Sequence, residues 1–561
     1  MIILGISAFY HDSAACLIKN GKILSALEEE RFSRKKHDNA FPFEAIKKCL
    51  EINNLNIGDI DYIAYYEKPL LKFERILETF IETWPYSLKP FLKSIPEWLG
   101  GKIRIESLIK KKLGFVGKIF FIPHHLSHAS AAFLTSPFKQ SAVLTIDGVG
   151  DVPTTGMWSG KQNIIKCLGE INFPHSLGLF YSTWTAFLGF KVNSDEYKVM
   201  GLSAYGKPIY KNQILKLIHQ FPDGSFELDL SYFDFRNSFR MWGNKFEKTF
   251  GKPRQPMDSL TTRHKNLASS LQAVTEEIYL KILNKLHEKT GSRNLCLSGG
   301  VALNSLANGK IYNNTKFKKI YILGPAGDSG ASLGAALYLY TNILGKKRPA
   351  QLKNLYLGTS YSDRYIKSVL DSKNIRYKQA PNIRNLIKKT ATLLANGKIV
   401  GWFQGKMEFG PRALGSRSIL ANPKKRVMKN LVNKIKHREQ FRPFAGSVLQ
   451  EKADRLFEVP EKNHYSPFMN FCFITKRNAR TKIASIVHKD KTCRIQTVNR
   501  DNGIYYHLIN KFYRLTKIPC VLNTSYNLSF EPIIEKPEHA IDDFLNTNID
   551  ALVIGKFVLE K

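Results

Sequence analysis

The sequence predicts an α/β protein of two domains, and three observations carry that prediction. At 561 residues the chain exceeds the size at which a single hydrophobic core stops growing. Strand-like runs at 142–146, 294–297 and 319–323 are each followed by a glycine-bearing turn and an alanine-rich helical pattern, the rhythm of an α/β domain whose ligands sit beyond the strand ends. A Lys/Pro-rich bridge at 344–353 then separates this region from a second one in which helices and strands restart. Domains at 1–345 and 354–561 follow, the second of mixed α/β type.

In chain order, the opening reads as a hairpin. Apolar runs at 2–6, 14–18 and 23–27 are separated by turns, the second of them Asn20-Gly21, whose residues suit a two-residue hairpin loop. Residues 43–56 and 103–113 have helical spacing, and 118–122 is a short strand that ends at Pro123. In the second domain we expect helices at 384–396 and 425–438, strands at 398–403 and near 468–474 and 518–522, and a single final strand at 551–558.

Composition bounds the function. An apolar fraction of 43% and a charged fraction of 23% are those of a globular chain, and no apolar run is long enough for a bilayer. The first residues lack a basic n-region and a cleavage site, so the cytoplasm is the expected location. Seven cysteines without any C-x-x-C pair indicate neither a disulfide framework nor a zinc ribbon. The formal charge of +37 points to anionic partners, but it is mostly lysine spread along the chain, including KKKLGF and LGKKRP, which read as solvated surface. No membrane partner and no nucleic-acid partner is therefore expected.

The chemistry concentrates in the first domain. After Pro123 comes HHLSHASAA, a helix on which His124 and His128 share one face while His125 lies about 100° round. Asp147 ends the run AVLTI and Asp328 follows YILGPAG, so both carboxylates project at strand ends. Two histidines and two aspartates suit Fe(II), Mn(II) or Zn(II). Three glycine turns after strands, at 147–151 (with Gly148), 298–304 and 324–334, place backbone N–H groups and helix N-termini where phosphates bind.

Taken together, FYHDSAACL, LEEERFSRKKH, HHLSHA, TIDGVGD, FPHSLGLFYSTWTAFLGF, DEYKVMGLSAYG, LSGGVALN and GPAGDSGASLGAAL resemble the O-carbamoyltransferase family of the NodU/CmcH type. The resemblance continues through MEFGPRALGSRSILANP, HREQFRPFAGSVL, RIQTV and VLNTSYN. It implies an actin-like ATPase (ribonuclease H-like) two-lobed N-terminal domain joined to a C-terminal YrdC-like mixed α/β domain. It also implies a reaction in which ATP, with its Mg, and carbamoyl phosphate form carbamoyl adenylate, whose carbamoyl group passes to a hydroxyl of a sugar-containing small molecule. Carried over by residue, His124, His128, Asp147 and Asp328 hold iron, and Gly178, Gly300 and Asn304 contact the adenylate. His11 and Lys36 lie at the transfer site, with His11 as base or orienter. Phe9 stands where an aminoglycoside-specific member carries an acid.

In the second domain, Arg412, Arg417, Lys436 and Arg442 supply the planar and point charges that a dianionic phosphate requires, and Arg494, Asn523 and Asn527 add contacts. The arginines stand out because they sit amid Gly, Pro, Phe and Leu. The competing readings are a tRNA threonylcarbamoyl transferase and a non-catalytic actin-like nucleotide sensor. A homodimer is compatible with the sequence.

Overall fold

The computed structural model describes residues 1–561 and divides into two compact units: Met1–Ser25 with Asn39–Gln351, and Ala26–Asp38 with Leu352–Lys561. The expected domain division did not foresee that the short segment Ala26–Asp38 is grouped with the second unit.

The first unit is built on two five-stranded sheets. One has the order β3-β2-β1-β4-β5, from β1 (Ile2–Ser7), β2 (Ala14–Lys19), β3 (Lys22–Glu28), β4 (Tyr62–Tyr65) and β5 (Lys118–Phe121). β1 and β2 run antiparallel, with Ile3 opposite Ile18, while β1, β4 and β5 are parallel. Asn20 (φ 49°) and Gly21 (φ 79°) make the turn into β3, the left-handed pair that such a hairpin needs. The other sheet comprises β6 (Gln140–Ile146), β7 (Pro153–Lys161), β8 (Ile164–Asn172), β11 (Asn294–Ser298) and β12 (Lys319–Ile322), in the order β12-β11-β6-β7-β8. β6 to β8 form an antiparallel meander, and β6, β11 and β12 are parallel. Both sheets therefore share one topology, the duplicated ribonuclease H-like arrangement of the actin-like fold. A small hairpin, β9 (Ile218–Gln220) and β10 (Phe226–Leu228), lies apart from them.

Two short-residue helices set the site. The His124–Thr135 helix starts directly after Pro123, and the Asp328–Tyr338 helix packs on it so closely that Gly334 has no room for a side chain. A Cβ there would stand 1.8 Å from the Ser127 carbonyl oxygen. The segment LGKKRP, expected to be solvated throughout, contributes Arg348 to this arrangement. Its guanidinium donates to the Phe138 (2.6 Å) and Ser136 (3.0 Å) carbonyls and lies 4.4 Å from the Phe133 ring, holding the far end of the 124–135 helix. Carbonyls at a helix C-terminus attract such a cation.

The second unit is a mixed nine-stranded sheet, β13-β21-β20-β14-β15-β19-β16-β18-β17. Its strands are β13 (Lys378–Gln379), β14 (Val400–Phe403), β15 (Arg417–Ala421), β16 (Ala445–Leu449), β17 (Phe471–Ile474), β18 (Thr492–Val498), β19 (Cys520–Ser525), β20 (Ala551–Ile554) and β21 (Phe557–Glu560). The expected single strand at 551–558 is instead the hairpin β20–β21, because Gly555 (φ 53°) reverses the chain. No helix of either unit is long and apolar enough to cross a membrane.

Candidate active site

In the first unit, His124, His128, Asp147 and Asp328 converge, with one ligand atom from each lying within 4.8 Å of the others. All four are buried. The Nε2 atoms of His124 and His128 are 3.1 Å apart. His128 Nε2 lies 3.0 Å from Asp147 Oδ2 and 3.4 Å from Asp328 Oδ1, and His124 Nε2 lies 3.4 Å from Asp147 Oδ2. Neighbouring ligands bound about 2.1 Å from one cation would be separated by roughly 3.0–3.4 Å, so most of these spacings fit a common ion.

A serine behind the tetrad fixes the tautomer of His128, whereas His124 Nδ1 is buried without a partner. Ser298 Oγ donates to the Ala326 carbonyl (3.1 Å) and sits 3.2 Å from His128 Nδ1, which therefore carries its proton toward the serine. That leaves Nε2 directed at two carboxylates, a position that demands either a proton or a cation. Burial opposes charge on this ring, but the hydrogen bonds and charges of Asp147 and Asp328 outweigh it and hold His128 up to about 9. Burial likewise opposes the Asp147 charge, yet hydrogen bonds from His124 and His128 hold its carboxyl well below the usual range. Asp151 Oδ2 accepts the His124 backbone N–H (2.8 Å), anchoring the helix start. His125 turns away, with Nδ1 2.8 Å from Thr145 Oγ1, and burial keeps it neutral.

Three of the four predicted nucleotide residues surround Asp147. Gly148 N donates to Asp147 Oδ1 (2.7 Å), a Cβ on Gly178 would meet the Asp147 carbonyl at 2.4 Å, and one on Gly300 would lie 3.1 Å from Asp147 Oδ1. Asn304 is committed elsewhere. Its Oδ1 caps the Ser305–Asn314 helix through Ala307 N (3.1 Å), and its amide pairs reciprocally with Gln272 at 3.0 and 3.1 Å.

His11 stands beside the tetrad, with Nε2 3.9 Å from Asp328 Oδ2 and Nδ1 3.0 Å from Asp12 Oδ2. Burial pulls its pKa down, but Asp328, Asp12 and Asp147 overcome this and raise it to about 10. Asp12 had no part in the sequence-based site, and Ser298 and Asp151 entered it only as members of the glycine turns. Their pairing with histidines is visible only once the fold sets each acid or hydroxyl against its partner. Lys36 falls in the segment grouped with the second unit, where its charge bears on Lys436.

In the second unit the predicted anion-binding residues separate into two sets. Arg442 and Arg494 are electrostatic neighbours, and burial first, with the Arg442 charge, lowers the Arg494 pKa while its Nε stays buried without a partner. Lys436 is buried against Asn527, its ammonium 2.7 Å from that residue's carbonyl and 3.0 Å from its Oδ1, and burial drives its pKa well below normal. Arg412 lies on the turn ahead of Ala413.

Arg417 and Asn523 belong to the frame. Arg417 is 0% exposed and donates to Gln404 O (3.0 Å), Gly405 O (3.2 Å), Ser416 Oγ (2.9 Å) and Thr359 O (3.3 Å), with its guanidinium 3.6 Å from the Phe403 ring centroid. Those partners, supplied by strand pairing that sequence spacing did not reveal, leave it little freedom to meet a phosphate. Asn523 donates to Ser447 Oγ (2.9 Å) and Ala413 O (3.2 Å). Glu408, unmarked in the sequence, shapes the turn by accepting the N–H groups of Leu414 (2.8 Å), Ser416 (2.6 Å) and Arg417 (3.1 Å).

Comparison with known proteins agrees with this two-part layout. Residues 2–337 match the carbamoyltransferase N-terminus and residues 391–561 the carbamoyltransferase C-terminus. The chain is 43% identical to uncharacterized protein sll1178 of Synechocystis sp., covering 100% of this chain and 96% of that one. It is 37% identical to nodulation protein NolNO of Sinorhizobium fredii, over 99% of this chain and 80% of that one. It is also 37% identical to nodulation protein NolO of Bradyrhizobium diazoefficiens, over 78% of each. With both family regions present in order and relatives of this identity along nearly its whole length, the chain belongs to the carbamoyltransferase family.

Proposed function

We propose that the protein is an O-carbamoyltransferase that uses ATP and carbamoyl phosphate to carbamoylate a hydroxyl of a sugar-containing small molecule. The observation that carries this reading is the buried tetrad with a His11–Asp12 pair against its edge. Water cleaves carbamoyl phosphate to carbamate and phosphate, and a carbamate oxygen then attacks the α-phosphate of ATP, forming carbamoyl adenylate as pyrophosphate leaves. The acceptor oxygen then attacks the carbamoyl carbon, the carbon–oxygen bond to the adenylate phosphate breaks, and AMP leaves.

His124, His128, Asp147 and Asp328 would hold Fe(II), with Mn(II) or Zn(II) as alternatives. Such an ion supplies Lewis acidity toward a carbonyl or phosphate oxygen and offsets the aspartate charges that keep His11 protonated. Asp12 orients His11 through Nδ1, which leaves Nε2 to take the proton of the attacking hydroxyl. Gly148, Gly178 and Gly300 place no side chain around Asp147, so a phosphate could approach the backbone there, while the Gly148 N–H stays on Asp147 Oδ1. In the second unit, Arg412, Arg442 and Arg494, with Lys436 and Asn527, are the residues for carbamoyl phosphate, while Arg417 and Asn523 shape their support.

The test is to supply the purified chain with Fe(II), Mg-ATP and carbamoyl phosphate. Pyrophosphate release should require carbamoyl phosphate, and AMP release should rise when a sugar alcohol is added and carbamoylated. Pyrophosphate release that ignores carbamoyl phosphate, or carbamoyl transfer to tRNA but not to sugars, would overturn the reading.

A further inference from the structure

The Pro69–Glu82 helix buries two cations beside Pro69 and Phe80. Leu70 (67% exposed) and Ile81 (77%) face away from the protein, while Lys72 and Arg75, three residues apart, are buried. Lys72 is matched, its ammonium 2.6 Å from Glu67. Arg75 is not. It is only 9% exposed, its Nε is buried with no partner, and its guanidinium makes no hydrogen bond or ion pair. Its one specific contact is the Phe173 ring, 5.0 Å from the guanidinium carbon. A guanidinium carries five donors, and leaving them unmatched out of water is costly. The nearby acids offset the burial of this charge only in part and accept no hydrogen bond from it: Glu67 is engaged by Lys72, and Asp151 by the backbone N–H groups of Lys68 (2.8 Å) and His124 (2.8 Å).

Tyr10 connects this cation to the transfer site. Its ring lies 4.6 Å from the His11 ring, and the Lys72 ammonium is 5.0 Å from its centroid. A Cβ on Gly148 would lie 3.9 Å from the Tyr10 hydroxyl. Arg75 and Tyr10 are electrostatic neighbours, as are Tyr10 and both Asp147 and Asp328. We propose that Arg75 recognises a carboxylate or phosphate on the acceptor, so that the acceptor is an anionic hydroxyl compound such as a sugar acid or a sugar phosphate. This rests on the carbamoyl-transfer reading and narrows its substrate. A planar guanidinium held over a ring is suited to bidentate capture of such a group.

The experiment compares wild type, Arg75→Gln and Arg75→Lys. Glucuronate and glucose 6-phosphate are the charged probes, glucose and methyl glucoside the neutral ones. Calorimetric binding should favour the charged probes in wild type and weaken roughly 10- to 100-fold in Arg75→Gln, with partial recovery in Arg75→Lys. Transfer should follow the same order, the loss appearing in KM. Carbamoyl phosphate-dependent ATP–pyrophosphate exchange should stay within twofold. Because an unmatched buried cation has been removed, Arg75→Gln should melt no lower than wild type, whereas a purely structural arginine would lower the melt.

Absence of charged-probe binding in wild type, or a charge preference that survives Arg75→Gln, overturns the proposal. Equal loss of exchange in Arg75→Gln also overturns it, by assigning the guanidinium to the adenylate phosphate. Loss of exchange in wild type would defeat the carbamoyl-transfer reading alone, since probe binding is measured independently of activity.

Discussion

Replacing Gly334 by alanine tests whether helix spacing sets the tetrad. The new Cβ would lie 1.8 Å from Ser127 O and 2.7 Å from Ala131 N. An ordinary carbon–oxygen contact is about 3.3 Å, so from the 1.8 Å separation the two helices must part by about 1.5 Å at the crossing. His128 follows Ser127 directly, and Asp328 begins the helix that carries Gly334, so the shift falls on ligands from both sides. Overpacking costs about 1–3 kcal/mol, offset by about 1 kcal/mol from the better helix propensity of alanine. A net loss of about 0–2 kcal/mol leaves the protein folded. Misplacement by more than about 1 Å costs on the order of 100-fold in rate. Thermal melts, metal content and kcat/KM for carbamoyl transfer would be read on one preparation. Wild-type metal content and rate in Gly334→Ala would refute the argument that this contact positions the site.

Three further outcomes are expected. His128→Ala should lose bound metal and transfer activity while keeping its circular dichroism spectrum, checked by elemental analysis and carbamoyl transfer. Arg412→Ala should lose adenylate formation yet still transfer from synthetic carbamoyl adenylate, while Arg417→Met should destabilise the second unit by about 3 kcal/mol in urea unfolding, because it orphans several buried carbonyls. Burial and the neighbouring Glu531 raise the Asp543 pKa to about 8, above its unfolded value, so its contribution is full below about pH 4 and is lost as pH rises through 8. Urea midpoints should therefore fall between pH 5.5 and 8.5, and Asp543→Asn should flatten that slope.

Some of this was legible in the sequence because local chemistry and fold agreed. Asn20-Gly21 permits little but a tight hairpin, and His124 with His128 shares a helix face whatever surrounds it. Strand-end aspartates were legible for the same reason. Arg75 was not, since an arginine in so charged a helix as Pro69–Glu82 reads as solvated until the fold buries it. Arg417 resembled a ligand because it sits in a Gly- and Ser-rich turn, but β15 begins at that residue and its partners come from 359 and 404–405, distances no local pattern encodes. Likewise, only the fold shows that Asn304 faces Gln272.

The matched sheets have a consequence for descent. In each, the first strand leads to the second through six residues, 8–13 in one and 147–152 in the other. The fifth position of both is an aspartate, Asp12 and Asp151, and each holds a histidine: Asp12 the ring of His11, Asp151 the backbone of His124. Elsewhere the two loops have diverged, one keeping glycines around Asp147 and the other bulky Phe9, Tyr10 and His11. Such correspondence is the pattern that duplication of a half-domain would leave, with glycines around Asp147 in one copy and bulky rings beside Asp12 in the other.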